Sequence, residues 1–296
     1  MSDHVCIDLR HLDLEGAIAC YVVAGPEPTI VDPGPTTSLD RLVEELEALG
    51  IGPDDLRHVL LTHIHLDHAG ATGHLLELFP RARVQVHEDG ASHMVDPERL
   101  VSSTRRTFGE LHDRLWGEVK PVPADRIDAW RPGEAGPWQG LRPIATPGHI
   151  AHHVAYLDER DGTLFSGDSM GIALGSGPQH PPTPPPAVNL PDWRRTLEEI
   201  GRIGPERFGA THFGFHDDVE PRRVQLRERL DALEARVRAA IAEGIDEEEA
   251  DAARFESEVR AELAPFIGEE RVNRYFDMFP AATDWTGVAF YVKRNP

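Results

Sequence analysis

The chain has 296 residues, two cysteines and a formal net charge of −21, from 51 acidic and 30 basic side chains. A chain this long buries most of its surface without disulfide staples. Its negative surface repels phosphate backbones and anionic lipid, so neither nucleic acid nor membrane is an expected partner. The N-terminus has no basic-then-apolar leader, and no apolar run reaches the roughly eighteen residues of a membrane span, so a cytoplasmic, reducing location is expected.

Short runs rich in Val and Ile, ended by Gly or Pro, open the chain: AIACYVVAG and PTIVDPG read as strands. Cys6 and Cys20 fall in this segment and are expected to be buried neighbours in paired strands. TSLDRLVEELEALG reads as a helix, with Ser38 as N-cap, a stripe of Leu39, Leu42, Val43, Leu46 and Leu49, and Gly50 as the stop. LRHVLLT is a strand. AGATGHLLELFP is a helix, ARVQVHE a strand, and residues 91–119 look helical. LRPIATPGH, HHVAYLDE and GTLFSGD are further strands. DWRRTLEEIGRI is a helix, and RFGATHFG is a strand leading into a loop. This recurrence of strand and helix to about residue 218 indicates sheets covered by helices, an α/β fold.

Beyond residue 218 the pattern changes. Leu226, Leu230, Leu233, Val237 and Ile241 recur at spacings of three and four, and Phe255, Val259 and Leu263 continue the pattern. Residues 219–296 therefore read as a C-terminal helical extension on a catalytic domain of residues 1–218. It is a packed helical pair that also walls a cleft and could provide a homodimer surface. The final WTGVAFYVKRN reads as a strand or extended tail. The six prolines between Pro178 and Pro186 forbid helix and central strand and predict a stiff extended loop, either a plain connection or a wall of the active site; its position just after Asp168 favours the wall.

Chemistry concentrates in THIHLDH, directly after the apolar run Val59–Leu61. His63 and His65, two apart, can face one way, while Asp67 and His68 on the following turn reach round to a second point. Imidazole with carboxylate suits Zn²⁺, Fe²⁺ or Mn²⁺. His149 in ATPGH, Asp168 in SGD and His212 in ATHFG also stand at predicted strand ends.

In this order HxHxDH, TPGH, SGD and a late His, with VDPG at Val31–Gly34, resemble the metallo-β-lactamase superfamily over about residues 17–216. TPGHIAHH is most similar to the glyoxalase II-like and lactonase-like branches, with His153 in the later position of that segment. The resemblance implies an αββα sandwich holding two divalent metal ions, zinc first, with iron or manganese also suited. By position, His63, His65 and His149 would hold one ion and Asp67, His68 and His212 the other. Asp168 would bridge them, and Asp32 would orient a ligand or loop. Metal-bound hydroxide would then cleave an ester, thioester or lactone of a small molecule, with Asp67 and Asp168 steering the nucleophile or passing the proton. Phosphodiester cleavage on the same metals, or a low-turnover small-molecule-binding regulator, are the alternatives.

Asp168 stands where the antibiotic-degrading branch has cysteine. Gly171 stands where acyl-homoserine lactonases have tyrosine. His152 is an extra beside His153, His180 and His93 have no assigned role, and Phe213 and Phe215 are candidates to line the cleft.

Overall fold

The structure is a computed structural model describing residues 4–131, 133–134 and 140–296. Two sheets form its centre. The first runs in chain order, β1 (Val5–Asp8), β2 (Ala19–Val23), β3 (Thr29–Val31), β4 (His58–Leu60), β5 (Arg83–His87) and β6 (Ile127–Trp130). Its β1–β3 pairs are antiparallel, and β3 to β6 are parallel. The second contains β7 (Leu141–Ala145), β8 (Val154–Asp158), β9 (Thr163–Gly167), β10 (Arg207–Ala210) and β11 (Gly214–His216), in the order β11-β10-β9-β8-β7. Only its β9–β10 pair is parallel.

Strand alternation builds the layers. Ala19, Tyr21 and Val23 of β2 meet Val154, Tyr156 and Phe165 between the sheets, while Cys20 points to the outer face. Two buried phenols lock the sheets together: Tyr21 donates to the Ala210 carbonyl at 2.5 Å and Tyr156 to that of Leu61 at 3.0 Å. Cys6 and Cys20 do lie on paired strands, but Cys6 is opposite Tyr21 and Cys20 is opposite Ile7, so their side chains face different layers.

Helices cover both outer faces. They are α1 (Leu39–Ala48), α2 (Leu66–Ala69), α3 (Thr72–Leu78), α4 (Glu88–Val95), α5 (Glu98–Phe108), α6 (His112–Trp116), α7 (Leu190–Ile203), α8 (Val219–Glu243), α9 (Ile245–Ile267), α10 (Glu269–Met278) and α11 (Ala281–Arg294). This is the αββα sandwich with helical C-terminal elements. α7, α8 and α11 pack on the second sheet through Trp193, Leu226, Leu230 and Val288, while Val259, Leu263, Tyr275 and Phe276 of α9 and α10 join the core of the first. Among the described residues no helix is long and apolar enough to cross a membrane.

Several expectations need correction. The final segment is not a strand or tail but the helix α11. Trp285, Val288, Ala289 and Val292, spaced three, one and three apart, are all buried on one face, which is helical periodicity. Residues 91–119 are broken by Pro97 and Gly109 into separate helices. RFGATHFG is a hairpin, with a turn at 211–213. The helical pair is four helices, because Gly244, Gly268 and Pro280 interrupt it. Ser38 occupies the N-cap of α1 without a side-chain capping bond; its hydroxyl sits 3.4 Å from His11 Nδ1 instead. Leu49 leaves the stripe and is exposed.

Candidate metal centre

Each motif leaves the C-terminal end of a strand. Asp32 follows β3, His63–His68 follow β4, His149 follows β7, Asp168 follows β9 and His212 follows β10. The Pro-Gly turn before His149 is tight. Gly148 has φ +147°, and a Cβ there would stand 2.3 Å from the Cβ of Trp193, so a larger residue would displace the turn.

The structure brings all seven sequence-predicted side chains together. His65 Nδ1 is 3.0 Å from His63 Nε2 and 2.8 Å from His149 Nε2. On the other side, His212 Nε2 is 3.2 Å and His68 Nε2 3.6 Å from Asp67 Oδ2. Asp168 lies between the trios and divides its oxygens: Oδ2 is 3.3 Å from His149 Nε2, and Oδ1 is 3.5 Å from His68 Nε2 and 3.8 Å from His212 Nε2.

The outer partners fix which ring nitrogens carry protons. His149 Nδ1 faces the Pro182 carbonyl at 2.8 Å and His212 Nδ1 that of Ala17 at 2.9 Å. Carbonyls only accept, so these nitrogens donate and each Nε2 is the ring atom turned to the site. His68 Nδ1 meets Asp32 Oδ2 at 2.8 Å. Thr62 Oγ1 gives its one proton to Asp32 Oδ2 and lies 3.1 Å from His63 Nδ1, so it accepts there. Asp32, buried with φ +53°, also takes the N–H of Thr62 and the hydroxyl of Thr211. Four donors on one carboxylate hold β3, β4 and the turn after β10 in register with the site. His153 plays a similar part: Nδ1 bonds Thr146 Oγ1 at 2.7 Å, and Nε2 accepts the Asp168 N–H at 3.1 Å. The family resemblance pointed to the ligands and Asp32; Thr62, Thr211 and the Pro182 carbonyl have no signature of their own.

Burial, and then the crowd of neighbouring histidines, keep His63 well below the ordinary imidazole range. Burial, and then His149, hold His65 at about 3. Burial works to raise Asp168 and Asp67, but His68 above all, with other histidines, outweighs it and holds both carboxylates ionised. Burial works to lower His68 and His212 too, but the facing carboxylates, Asp168 first for His68 and Asp67 first for His212, outweigh it and raise both, so a bound cation would displace protons from these two rings. The neutral imidazoles of His63 and His65, the two titrating rings and the inward carboxylates are together the donor set of a divalent-cation site. Among the described residues, buried His68 Nε2 and Asp168 Oδ1 make no hydrogen bond. Leaving such groups unmatched costs roughly 1–3 kcal/mol each, so the residues fit a bound cation pair.

The centre opens into a cavity of about 370 Å³. His65, Asp67 and His212 meet it from below, Leu100 and Phe108 of α5 form one wall, Pro182 and Pro184–Pro186 another, and Tyr275 and Phe279 close it from the C-terminal end. The proline loop is therefore a cavity wall, as its place just after Asp168 led us to expect, and His152 and His93 also reach it. Phe213 and Phe215 do not. Phe215 packs on Tyr21 at 4.9 Å under the Arg207 guanidinium. His180 is tied to Asp284 at 2.7 Å.

The model of the metallo-β-lactamase superfamily matches residues 14–212. The chain belongs to that superfamily. It is a superfamily hydrolase, similar to proteins carrying that fold across bacteria and archaea. The fold-containing protein ST1585 of Sulfurisphaera tokodaii is 28% identical over 200 residues, 66% of this chain and 72% of that protein. A hydroxyacylglutathione hydrolase of Synechococcus is 27% identical over 70% of this chain and 73% of its own. The crystal structure of TTHA1429, a family protein of Thermus thermophilus, aligns with a TM-score of 0.62 and 25% identity over 94% of this chain and 89% of that one.

Proposed function

We propose that this hydrolase holds two divalent metal ions and cleaves an ester, thioester or lactone bond in a small molecule with an apolar portion. The observation that carries this reading is Asp168, whose two oxygens face different histidine groups at the floor of the cavity. His63, His65 and His149 would hold one ion, Asp67, His68 and His212 the other, and Asp168 both; zinc suits the set, as do iron and manganese. Such a pair supplies Lewis acidity toward a carbonyl oxygen and lowers the pKa of water.

The chain's own residues do the rest. The mostly apolar walls exclude water and hold the acyl group against the floor. Asp67 lines the cavity beside the candidate centre, where its carboxylate would steer the attacking water or pass a proton to the departing alkoxide or thiolate. Asp168 holds the two ligand sets at a fixed separation. The name of the Synechococcus relative supports an acyl bond over a phosphodiester. An overall acidic chain and a largely apolar cavity also make a poor seat for a phosphate diester.

The test is metal per chain on purified protein, followed by a panel of small thioesters, esters, lactones and phosphodiesters. Turnover of acyl substrates with two metals bound is the expected result. Turnover confined to phosphodiesters, or none on any class, overturns the proposal.

A further inference from the structure

Tyr275 lies outside the matched family region and outside every motif legible in the sequence. It is 1% exposed, yet its hydroxyl makes no hydrogen bond among the described residues. The contrast within the molecule is direct, since the phenols of Tyr21 and Tyr156 are both spent on backbone carbonyls. The Tyr275 ring is held firmly. It stands edge-on to His212 at 6.1 Å, edge-on to Phe276 at 5.2 Å and against Phe279 at 5.1 Å. It also shares the wall of the cavity with His65, Asp67, Asp168 and His212. A donor with its proton uncommitted thus belongs to a residue that lines the same cavity as Asp168.

We propose that Tyr275 is a catalytic residue: its O–H donates a hydrogen bond to the acyl carbonyl oxygen of the substrate, and strengthens that bond as the oxygen gains negative charge. This rests on the acyl-hydrolase reading above. The phenol forms and breaks no covalent bond and keeps its proton throughout. A phenol ordinarily titrates at about pH 10, so at neutral pH it carries its proton and acts as a donor. A fixed donor aimed at developing charge needs no reorganisation during the reaction, which is why such groups contribute strongly to rate. The neighbouring Phe108, Phe279 and Leu100 give the acyl group an apolar seat. Helix α10 thereby completes a site whose metal-ligating side chains all come from the sandwich.

Tyr275→Phe removes one oxygen and keeps the ring contacts. Metal per chain and circular dichroism should match the wild type. On whichever acyl substrate the panel identifies, kcat should fall about 100-fold with KM changed little, the signature of an interaction made mainly in the transition state. A second measurement does not depend on turnover. Hexanoate, a carboxylate product mimic, should bind the metal-loaded wild type about tenfold more tightly than the variant by calorimetry. It should also give a tyrosine near-ultraviolet difference spectrum that the variant lacks. Equal hexanoate affinity in the two proteins, or no hexanoate binding by the wild type, overturns the role of Tyr275. An unchanged kcat at equal metal content does the same. If no acyl substrate is turned over but hexanoate binds through Tyr275, the hydrolytic reading falls and the tyrosine contact stands. If Tyr275→Phe does not fold, the wild-type difference spectrum decides: its presence supports the contact and its absence overturns it.

Discussion

The carboxylate of Asp284, on α11, accepts the backbone N–H of Thr183 at 2.6 Å, and through that bond the last helix reaches the metal centre. Asp284 Oδ2 also meets His180 Nε2 at 2.7 Å, and the Thr183 hydroxyl donates to the Asp284 carbonyl at 2.9 Å. One residue before Thr183, the Pro182 carbonyl takes the Nδ1 proton of His149. The proline loop is thus pinned at both faces, to α11 outside and to a candidate ligand inside. Asp284→Ala leaves two buried groups unmatched and frees the loop. Partners of this kind typically hold 10–100-fold in metal affinity, so that loss is expected, read as metal retained against a competing chelator. Gly287→Ala is an independent test that keeps every polar group. A Cβ at Gly287 would stand 1.7 Å from the Thr183 carbonyl oxygen and must push the loop away. Wild-type metal affinity in both variants would show that the loop does not orient His149.

This coupling marks the boundary of what the sequence could show. The ligand set was legible because histidine and aspartate are rare at the ends of apolar strands, and their order along the chain is distinctive. Asp32 was legible by its place in VDPG. Most strands followed from Val- and Ile-rich runs ended by turn residues, and the amphipathic face of α8 from its spacing of three and four; the two-sheet sandwich came from the family resemblance, and the short edge strands β6 and β11 were not legible. α11 was misread because Val288, Phe290 and Val292 alternate like a strand, while the contacts that make it a helix come from α8 and the proline loop, far away in the chain. Asp284 and Tyr275 had no local signal at all. One sits in an ordinary helical turn and the other among aromatic residues that read as core, and only the tertiary fold puts them on the cavity.

Asp168→Asn tests the division of one carboxylate between two ligand groups. The amide keeps the shape and removes the charge facing the imidazoles. We expect metal per chain to drop from two to one or none, with hydrolysis lost by at least about 1,000-fold, comparable to losing a central element of a cooperative site. Retention of both metals with ordinary turnover would place the bridging function elsewhere.

Chelation should destabilise the fold without dissolving it. Two separate hydrophobic cores flank the sandwich and do not depend on the centre, but His65 Nδ1, 3.0 Å from His63 Nε2 and 2.8 Å from His149 Nε2, has one proton at most, so without a cation at least one of those lone pairs has no good partner. A ligand present at about 1,000 times its Kd adds roughly 4 kcal/mol to the native state. For a chain of this size that corresponds to a Tm lower by roughly 10 °C after chelation, restored by adding zinc, iron or manganese back. The ion that restores most stability at equal concentration identifies the preferred metal. A Tm unmoved by chelator and by every added ion would mean that no cation is held there.

Asp32→Ala removes the acceptor shared by Thr62, Thr211 and His68. Those donors are buried, and replacing one partner of a buried network leaves the others to bear the full desolvation cost. The expected result is a loss of roughly 3 kcal/mol or more in urea unfolding, together with weaker binding at the Asp67–His68–His212 group. Asp32→Asn separates the two effects, because asparagine also tolerates a φ of +53° but turns an N–H toward one of the donors. It should therefore keep more stability than the alanine variant and still lose metal affinity. Equal stability in all three proteins would contradict the network.

His11 gives the pH prediction. It is fully buried, stacked on Trp116 at 5.8 Å with the rings nearly parallel, and burial pushes its pKa down to about 4. In the unfolded chain its pKa is near 6.5. Below that value the unfolded state takes up a proton that the folded state refuses until about pH 4, so stability is fully present above about pH 6.5 and falls as pH drops toward 4. Between about pH 7 and about pH 5 this one group accounts for roughly 2 kcal/mol. His11→Met keeps the volume and removes the titration. Urea denaturation of the chelated protein at the two pH values should show a loss smaller by about that amount in the variant. If wild type and variant lose the same stability over this interval, His11 is already protonated in the fold and its burial is offset by a charge partner.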